Sequence, residues 1–176
     1  MLSPYFQCYL YKIRIIMDIL FLLLKGLIML PVVWLLMLIT IFFHEMGHVV
    51  MYLLLYHEND WSVELGKKGI KLVKFGRFTI YISMVTGCAY YSYTNYNKFK
   101  SILVSFGGPL VNLILVILFK IYLSNSSIER SYFFIWCVYF LFYSNLFQFL
   151  GTIIPIKTVN YSSDGMRILQ RLKGKL

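Results

Sequence analysis

The stretch Phe43-His44-Glu45-Met46-Gly47-His48 places an HExxH pattern inside a long apolar run. On a helix, His44 and His48 lie one turn apart on the same face, so both imidazoles can reach one metal ion. Glu45 is rotated by about 100° from His44, where its carboxylate can contact a metal-bound water. The alternative is a chance pattern of two interfacial histidines and an unrelated acid. Ionisable side chains are costly inside a membrane-length segment and mark function there, which favours the metal site.

The composition is typical of an integral membrane protein. Of 176 residues, 60% are hydrophobic and only 14% are charged, and the mean hydropathy is +0.72. These values exclude an ordinary soluble domain and a disordered chain. The three cysteines show no CxxC spacing, which argues against a disulfide framework and against a cysteine zinc site. We expect a mainly α-helical, polytopic membrane protein that forms a single domain over residues 1–176.

The basic residues predict the orientation of the chain. The net charge of +10 does not indicate a nucleic-acid partner, because the lysines and arginines lie between the apolar runs and form no stripe on a polar domain. Placing Lys12, Arg14, residues 57–100 and the C-terminal tail in the cytoplasm leaves outside only three of the 17 basic residues, namely Lys25, Lys120 and Arg130. The positive-inside rule favours this topology.

Three apolar runs predict core transmembrane helices at residues 27–56, 101–123 and 132–154. The first would be about 45 Å long, more than the roughly 30 Å hydrocarbon core, and Pro31 either kinks it or lies near its first turn. The HExxH pattern lies past the middle of this run, so the site would be inside the membrane but nearer one face.

Residues 1–26 leave several alternatives open. The apolar run Ile15–Leu24 contains Asp18 and is short for a span. It is either a tilted or interfacial helix, an additional N-terminal membrane helix, or an extension of the first core helix. Met17 is an alternative start, and the lack of a small-residue cleavage site argues against a removable signal peptide.

Residues 57–100 differ from the spans. Glycines punctuate short runs of period-two alternation such as Phe78–Ser83, which predict a small β-hairpin or sheet between the first and second core helices. The segment is either a basic polar loop on the inner face or a small sheet whose free edge takes up another strand, and both can hold. Residues 155–176 contain Asp164-Gly165 and a basic tail.

The third metal ligand has few candidates. A catalytic zinc usually takes three protein ligands, of which His44 and His48 supply two. Asp164 follows the third span on the same side as the HExxH end of the first, which makes it the best-placed candidate. His57 lies on the opposite side of the helix and about 13 Å further along. The other acidic candidates are less well placed: Asp18, Glu58, Asp60, Glu64 and Glu129.

Polar side chains inside the second and third spans need partners. We expect Asn112 of the second span to face the bundle interior. Asn145, Gln148 and Thr152 recur at three and four residues and share a face of the third span. They either form hydrogen bonds between helices or contact a substrate.

With these motifs in this order, the sequence resembles the site-2 protease family of intramembrane zinc metalloproteases, as a small member without a PDZ domain. The motifs are His44–His48 in one span, Gly108-Pro109-Leu110-Val111-Asn112 in the next, and Ile154-Pro155 with Ser163-Asp164-Gly165 after the third. Residues 65–91 also resemble the β-rich stretch of the family, with a membrane-dipping loop near Gly87.

The resemblance implies a zinc metalloendopeptidase that hydrolyses peptide bonds in or near transmembrane or signal-peptide-like segments. One zinc ion would be held by His44, His48 and Asp164, and Glu45 would act as general base on the zinc-activated water. Asn112, Asn145 and Thr152 would help to position the substrate. Two features depart from the family: Thr152 replaces a frequent asparagine, and the gap from Pro155 to Asp164 is longer than in many members.

The implied partners are the lipid bilayer, a membrane protein or membrane-embedded peptide as substrate, and a regulatory membrane protein. The implied location is a bacterial plasma membrane, with the site toward the cytoplasm and a cytoplasmic C-terminus. The alternative is a non-catalytic membrane interaction or immunity protein that retains the zinc-binding fold, although the complete His-Glu-His and Asp set argues against it. A further alternative, a zinc peptidase with a glutamate as third ligand, needs Glu129, which lies in the loop predicted to be outside.

Overall fold

The computed structural model describes residues 4–66, 70–82, 86–125, 131–159 and 161–174. Among these residues the chain forms four helices and four strands. In chain order they are α1 Pro4–Tyr56, β1 Trp61–Leu65, β2 Lys71–Phe75, β3 Phe78–Tyr81, β4 Gly87–Tyr91, α2 Lys98–Ser124, α3 Tyr132–Ile153 and α4 Asp164–Leu172. The predicted helical membrane protein with a small sheet between its first two core helices is therefore confirmed.

Within the part of the chain that the structure describes, three helices are long and apolar enough to cross a membrane, at Lys12–Tyr56, Lys98–Ser124 and Tyr132–Ile153. The first predicted boundary is wrong, because α1 runs without a break through Leu27 from Pro4. Of the alternatives for this N-terminal segment, its described residues 4–26 form the extension of the first core helix. The reason is that a single glycine in a leucine-rich helix costs only about 1 kcal/mol, so Lys25-Gly26 does not end the helix.

The chain divides into two compact units, Met1–Leu35 and Leu36–Leu176. In the first unit, most large apolar side chains between Ile13 and Leu30 are exposed. Such a surface suits contact with lipid chains. The second unit contains the rest of α1, the sheet and the other three helices.

Glycines bring α1 and α2 into direct contact. A Cβ atom added to Gly47 would lie 2.5 Å from the carbonyl oxygen of Gly107, and one added to Gly107 would overlap the carbonyl oxygen of Gly47. Helix backbones inside a membrane approach this closely only where side chains are absent. α2 continues as a helix through the buried Pro109.

The four strands form one sheet in the order β2-β3-β1-β4. β1 pairs parallel with β3 and antiparallel with β4, and β2 pairs antiparallel with β3. Val63 and Leu65 of β1 pack with Ile41 and Val49 of α1 in one buried cluster. This cluster fixes β1, and through it β4, against the helix that carries the HExxH pattern.

Several residues of the predicted β-rich segment, the predicted outer loop and the basic tail lie outside the described part of the chain. They are Lys67, Lys68, Gly69, Ser83, Glu129, Arg130 and the end of the basic tail.

Candidate metal centre

His44, His48 and Asp164 come together in the interior of the second unit. Their ligand atoms all lie within 4.8 Å of one another, and all three residues are buried. Asp164 Oδ2 is 3.2 Å from His44 Nε2 and 3.5 Å from His48 Nε2. Three donors from two distant parts of the chain therefore face one point.

The two histidines lie on the buried face of α1. Thr40, His44 and His48 follow at intervals of four residues, which places them on one stripe of the helix, and all three are buried. The hydroxyl of Thr40 donates to the carbonyl oxygen of Leu36, one turn earlier on its own helix. The hydroxyl of Thr40 is therefore hydrogen-bonded within α1, and the two imidazoles on the same stripe face Asp164.

Asp164 is held by the junction between α3 and α4. Ser163 caps α4, since its hydroxyl accepts from Met166 N at 3.2 Å and donates to Ile154 O at 2.6 Å. A Cβ atom at Gly165 would overlap the carbonyl oxygen of Ile153, so only glycine lets α4 begin against the end of α3. The Ser163-Asp164-Gly165 sequence therefore fixes the position and direction of the Asp164 carboxylate.

Asp164 is ionised in this setting. Burial alone would raise the pKa of the carboxyl group, but the hydrogen bonds with His44 and His48 hold this pKa well below its usual range. A metal ligand must be deprotonated to bind, so the group is in the required state at neutral pH.

The space in front of the histidines fits a metal ion. A Cβ atom at Gly108 of α2 would lie 2.5 Å from His48 Nε2 and 2.7 Å from His44 Nε2. Glycine at this position keeps open a cradle that any side chain would fill. Two imidazoles and one carboxylate are the ligands that a catalytic zinc takes while it leaves a fourth position open, so the residues present fit zinc.

The outer nitrogens of the two histidines are also occupied. His48 Nδ1 lies 2.8 Å from Val104 O, to which it can donate. His44 Nδ1 lies 3.0 Å from the amide of the fully buried Asn112, whose Oδ1 has no hydrogen-bond partner among the described residues. A half-turn of this amide makes Oδ1 the acceptor for Nδ1–H of His44. When a metal is bound, Nδ1 then carries the proton, and each Nε2 offers its lone pair to the metal in place of its hydrogen bond with Asp164.

This contact predicts a role for Asn112 in metal binding. Replacing Asn112 by alanine should weaken zinc binding by about 10- to 100-fold, because the acceptor that orients His44 is lost. Asn112→Asp, which keeps an acceptor, should retain more of the affinity. Zinc affinity is measured by competition with a chromogenic chelator.

Asn145→Ala is the matched control, since Asn145 is also a buried asparagine but its Nδ2 donates to Leu141 O of its own helix at 2.8 Å. Equal losses of zinc affinity in the Asn112→Ala and Asn145→Ala variants would mean that the effect comes from bundle packing and not from His44.

Glu45 is buried beside the histidines, where β4 begins. A Cβ atom at Gly87 would lie 2.6 Å from both Cγ and Oε1 of Glu45. Glycine at this position therefore lets the first residue of β4 pass directly against the glutamate. The membrane-dipping loop predicted near Gly87 falls partly on residues 83–85, outside the described part.

A cavity of about 570 Å³ opens beside these residues, a volume usual for ligand sites. Glu45, the two histidines and Asp164 form one wall, and Thr86–Cys88 at the start of β4 form another. α3 contributes Ser144, Gln148 and Thr152 at intervals of four residues, together with Phe140 and Phe147. A groove of about 350 Å³, which shares Phe140, Ser144 and Phe147, continues along α3.

The three asparagine and threonine positions predicted to contact substrate lie in different places. Thr152 lines the cavity, but its hydroxyl donates to carbonyl oxygens of its own helix. Asn112 and Asn145 are buried away from the cavity wall. Gln148, which the sequence pattern grouped with them, and Ser144 lie on the wall.

Sequence reasoning missed Arg167. Its Nη1 lies 3.9 Å from Asp164 Oδ1, its side chain is 36% exposed, and it lines the cavity. Burial would lower the pKa of the guanidinium, but the Asp164 carboxylate raises it above the usual value, so the group stays charged. The available signal was spacing, because a residue three positions after Asp164 lies on the same face of a helix.

Three of the other acidic candidates form hydrogen bonds elsewhere in the fold. Glu58 accepts from Tyr52 Oη at 3.0 Å, Glu64 accepts from Tyr90 Oη at 3.2 Å, and Asp60 accepts from the Ser92 hydroxyl. Within the described residues, His44, His48 and Asp164 form the one group that could hold a metal.

Comparison with known proteins agrees with this geometry. The model of peptidase family M50 matches residues 32–173, which include all three motifs. The chain is also 29% identical over 131 residues to a protein of Bacillus subtilis (strain 168) named "Uncharacterized membrane protein YwmF". That alignment covers 74% of this chain and 79% of the relative. No solved structure matches the chain.

Proposed function

We propose that this chain is an intramembrane zinc endopeptidase. It belongs to peptidase family M50, the site-2 protease family of membrane zinc metalloproteases. The family match establishes the metallopeptidase class, and the proposal adds the bond that is cut and the residues that cut it. The observation that supports it best is the meeting of His44, His48, Asp164 and Glu45 on one wall of a cavity.

The chemistry divides between the metal and the chain. Zinc, held by His44, His48 and Asp164, would supply a Lewis acid that polarises the scissile carbonyl and activates a water molecule. Glu45 accepts a proton from that water as its oxygen bonds to the carbonyl carbon. When the C–N bond breaks, Glu45 delivers the proton to the leaving amine, so that one water is consumed for each peptide bond.

The substrate must be extended where it is cut, since a helix hides its peptide bonds. β4 pairs with β1 on one side, and its other edge carries no partner among the described strands. We propose that an unwound substrate segment adds to this edge, which begins at Gly87 beside Glu45. Gln148 and Ser144 of α3 face the same cavity and are placed to hydrogen-bond its freed backbone groups.

We infer a bacterial plasma membrane location with the site nearer the cytoplasmic face. This rests on the positions of the basic residues and on the similarity to a membrane protein of Bacillus subtilis. The substrate is a membrane protein or a membrane-embedded peptide, and a regulatory membrane partner would control its access.

The test is cleavage of a membrane-segment reporter by the whole chain reconstituted in liposomes. We expect about one zinc per chain, cleavage within the apolar segment, loss of cleavage on chelation, and recovery on adding zinc. Zinc is measured by atomic emission and the cut site by mass spectrometry. Zinc binding without cleavage of any of a panel of reporters would favour the non-catalytic membrane protein that retains the fold.

Arg167 should stabilise the negative charge that develops on the carbonyl oxygen. It is the only lysine or arginine among the described residues that line the cavity, and its contact with Asp164 Oδ1 leaves most of its donors available. Arg167→Gln should lower kcat by about 10²- to 10³-fold with little change in KM, as for loss of other oxyanion donors. Arg167→Lys should retain part of the rate.

Zinc content separates this role from support of Asp164. Arg167→Gln should hold as much zinc as the wild type, and a tetrahedral phosphinate inhibitor should lose affinity in parallel with kcat. The exposed Lys173→Gln is the control for charge. A fall in zinc content that accounts for the fall in rate would contradict the proposed role of Arg167.

A further inference from the structure

The hairpin formed by β2 and β3 is unlike the rest of the sheet. β2 lies at the edge farthest from β4, and all five of its residues, Lys71–Phe75, are exposed. The apolar side chains here are largely exposed. Ile70, just before β2, is 74% exposed and Phe75 is 80% exposed, while Leu72 and Val73 are about half exposed. An exposed apolar edge strand is unfavourable in water, so we expect β2 to be buried against another surface.

The charge of the hairpin has one sign. Lys71, Lys74 and Arg77 are exposed beside the apolar side chains. No acidic residue occurs in the sequence between Glu64 and Glu129. A surface that combines exposed apolar groups with basic residues and no acids is complementary to an interface with anionic headgroups.

The position of the sheet agrees with such an interface. α1 ends at Tyr56 and α2 begins at Lys98, and these ends touch, since Tyr56 Oη donates to Asn97 O at 3.0 Å. Lys100 Nζ likewise donates to Leu55 O at 2.8 Å. Both membrane helices therefore reach the same membrane face together. The turn between β2 and β3 lies near that face, since Arg77 donates to Asn59 just after the end of α1. The tyrosines packed there are typical of a membrane–water boundary.

Two other occupants fit less well. A substrate near the catalytic wall would meet β4, which lies at the opposite edge of the sheet from β2. A second copy of the chain paired edge to edge would bring the lysines of two β2 strands together, and like charges on adjacent strands are destabilising.

We propose that the β2–β3 hairpin is a lipid anchor that binds the anionic headgroups of the membrane face at which α1 ends and α2 begins. Phe75, Leu72 and Ile70 enter the interface, and Lys71 and Lys74 contact the headgroups. Arg77 is partly used within the protein, where it donates to Asn59 and stacks on Trp61. The proposal concerns lipid binding alone and does not depend on proteolysis.

Amide hydrogen exchange of the whole chain in lipid nanodiscs tests this anchor. Discs with about one third phosphatidylglycerol are compared with discs of phosphatidylcholine only, at one chain per disc. We expect exchange across residues 70–75 to slow by about tenfold or more in the anionic discs, and high salt to remove the difference. Phe75→Ser should reduce the protection.

Matched variants separate the hairpin from overall charge. Lys71→Gln/Lys74→Gln should abolish the difference between the two lipids, whereas Lys157→Gln/Lys173→Gln, which removes two exposed lysines elsewhere, should keep it. Equal exchange in both lipids, or equal loss in both double variants, overturns the proposal. Protection that grows with the number of chains per disc would instead assign β2 to contact between copies, and also overturns it.

Discussion

Replacing Glu45 by glutamine is expected to reduce reporter cleavage by about 10²- to 10⁴-fold while zinc content stays near that of the wild type. Glutamine has the size of glutamate but cannot accept a proton, and proton transfer by a positioned side chain contributes about this factor. The geometry favours a clean substitution, because Glu45 is buried against Gly87 and lies beside the ligand cluster without belonging to it. The measurements are initial cleavage rate, zinc per chain and thermal stability.

The control for Glu45→Gln is the same substitution at Glu64, which lies in β1 and accepts from Tyr90 Oη. Glu64→Gln should cleave at close to the wild-type rate. If Glu45→Gln cleaves as fast as Glu64→Gln, then Glu45 is not the general base, and the mechanism proposed above is wrong. If Glu45→Gln loses zinc as well, its effect reports on metal binding and says nothing about proton transfer.

The spacing of the HExxH residues made the core of the site predictable. His44 and His48 face one point because four residues make about one helical turn, and that holds wherever the helix lies. Asp164 was predictable as a candidate because chain order returns the end of the third helix to the same membrane face. The alternation around Phe78 predicted the sheet, but it did not predict that β1 pairs parallel with β3.

Contacts between helices were beyond sequence reasoning. Asn112 meets His44 because α1 and α2 cross at Gly47 and Gly107, and that crossing sets which residues of α2 face the histidines. An apolar run shows that a helix exists but does not specify its rotation about its axis. For the same reason the sequence grouped Asn145 with Gln148, although in the folded bundle the first is buried and the second lines the cavity.

Four glycines make the site possible by what they leave out. Gly47 and Gly107 let the helices touch, Gly108 keeps the space before both Nε2 atoms open, and Gly87 lets β4 pass against Glu45. Each added methyl group would collide with backbone or with a functional side chain. Side-chain motifs identify this kind of centre, but the close packing of backbone around it depends on these small residues.

Replacing Asp164 by alanine is expected to remove most of the zinc and all measurable cleavage. Two imidazoles alone bind zinc weakly, and loss of the carboxylate also removes the only described acidic partner within reach of both His44 and His48. Zinc per chain after dialysis against a weak chelator should fall from about one to near zero, together with the cleavage rate.

Ser163→Ala and Asp164→Asn show whether this effect comes from the ligand or from the local fold. Ser163→Ala removes the cap of α4, which costs about 1 kcal/mol, and leaves the carboxylate in place, so it should keep most of the zinc. Asp164→Asn keeps the shape but loses the charge, and should bind zinc far more weakly than Ser163→Ala. If Asp164→Ala retains full zinc and activity, the third ligand lies elsewhere in the chain. The Asp164 carboxylate would then have no role in metal binding, despite the motif that contains it, the junction at Gly165 and its buried contacts with both histidines.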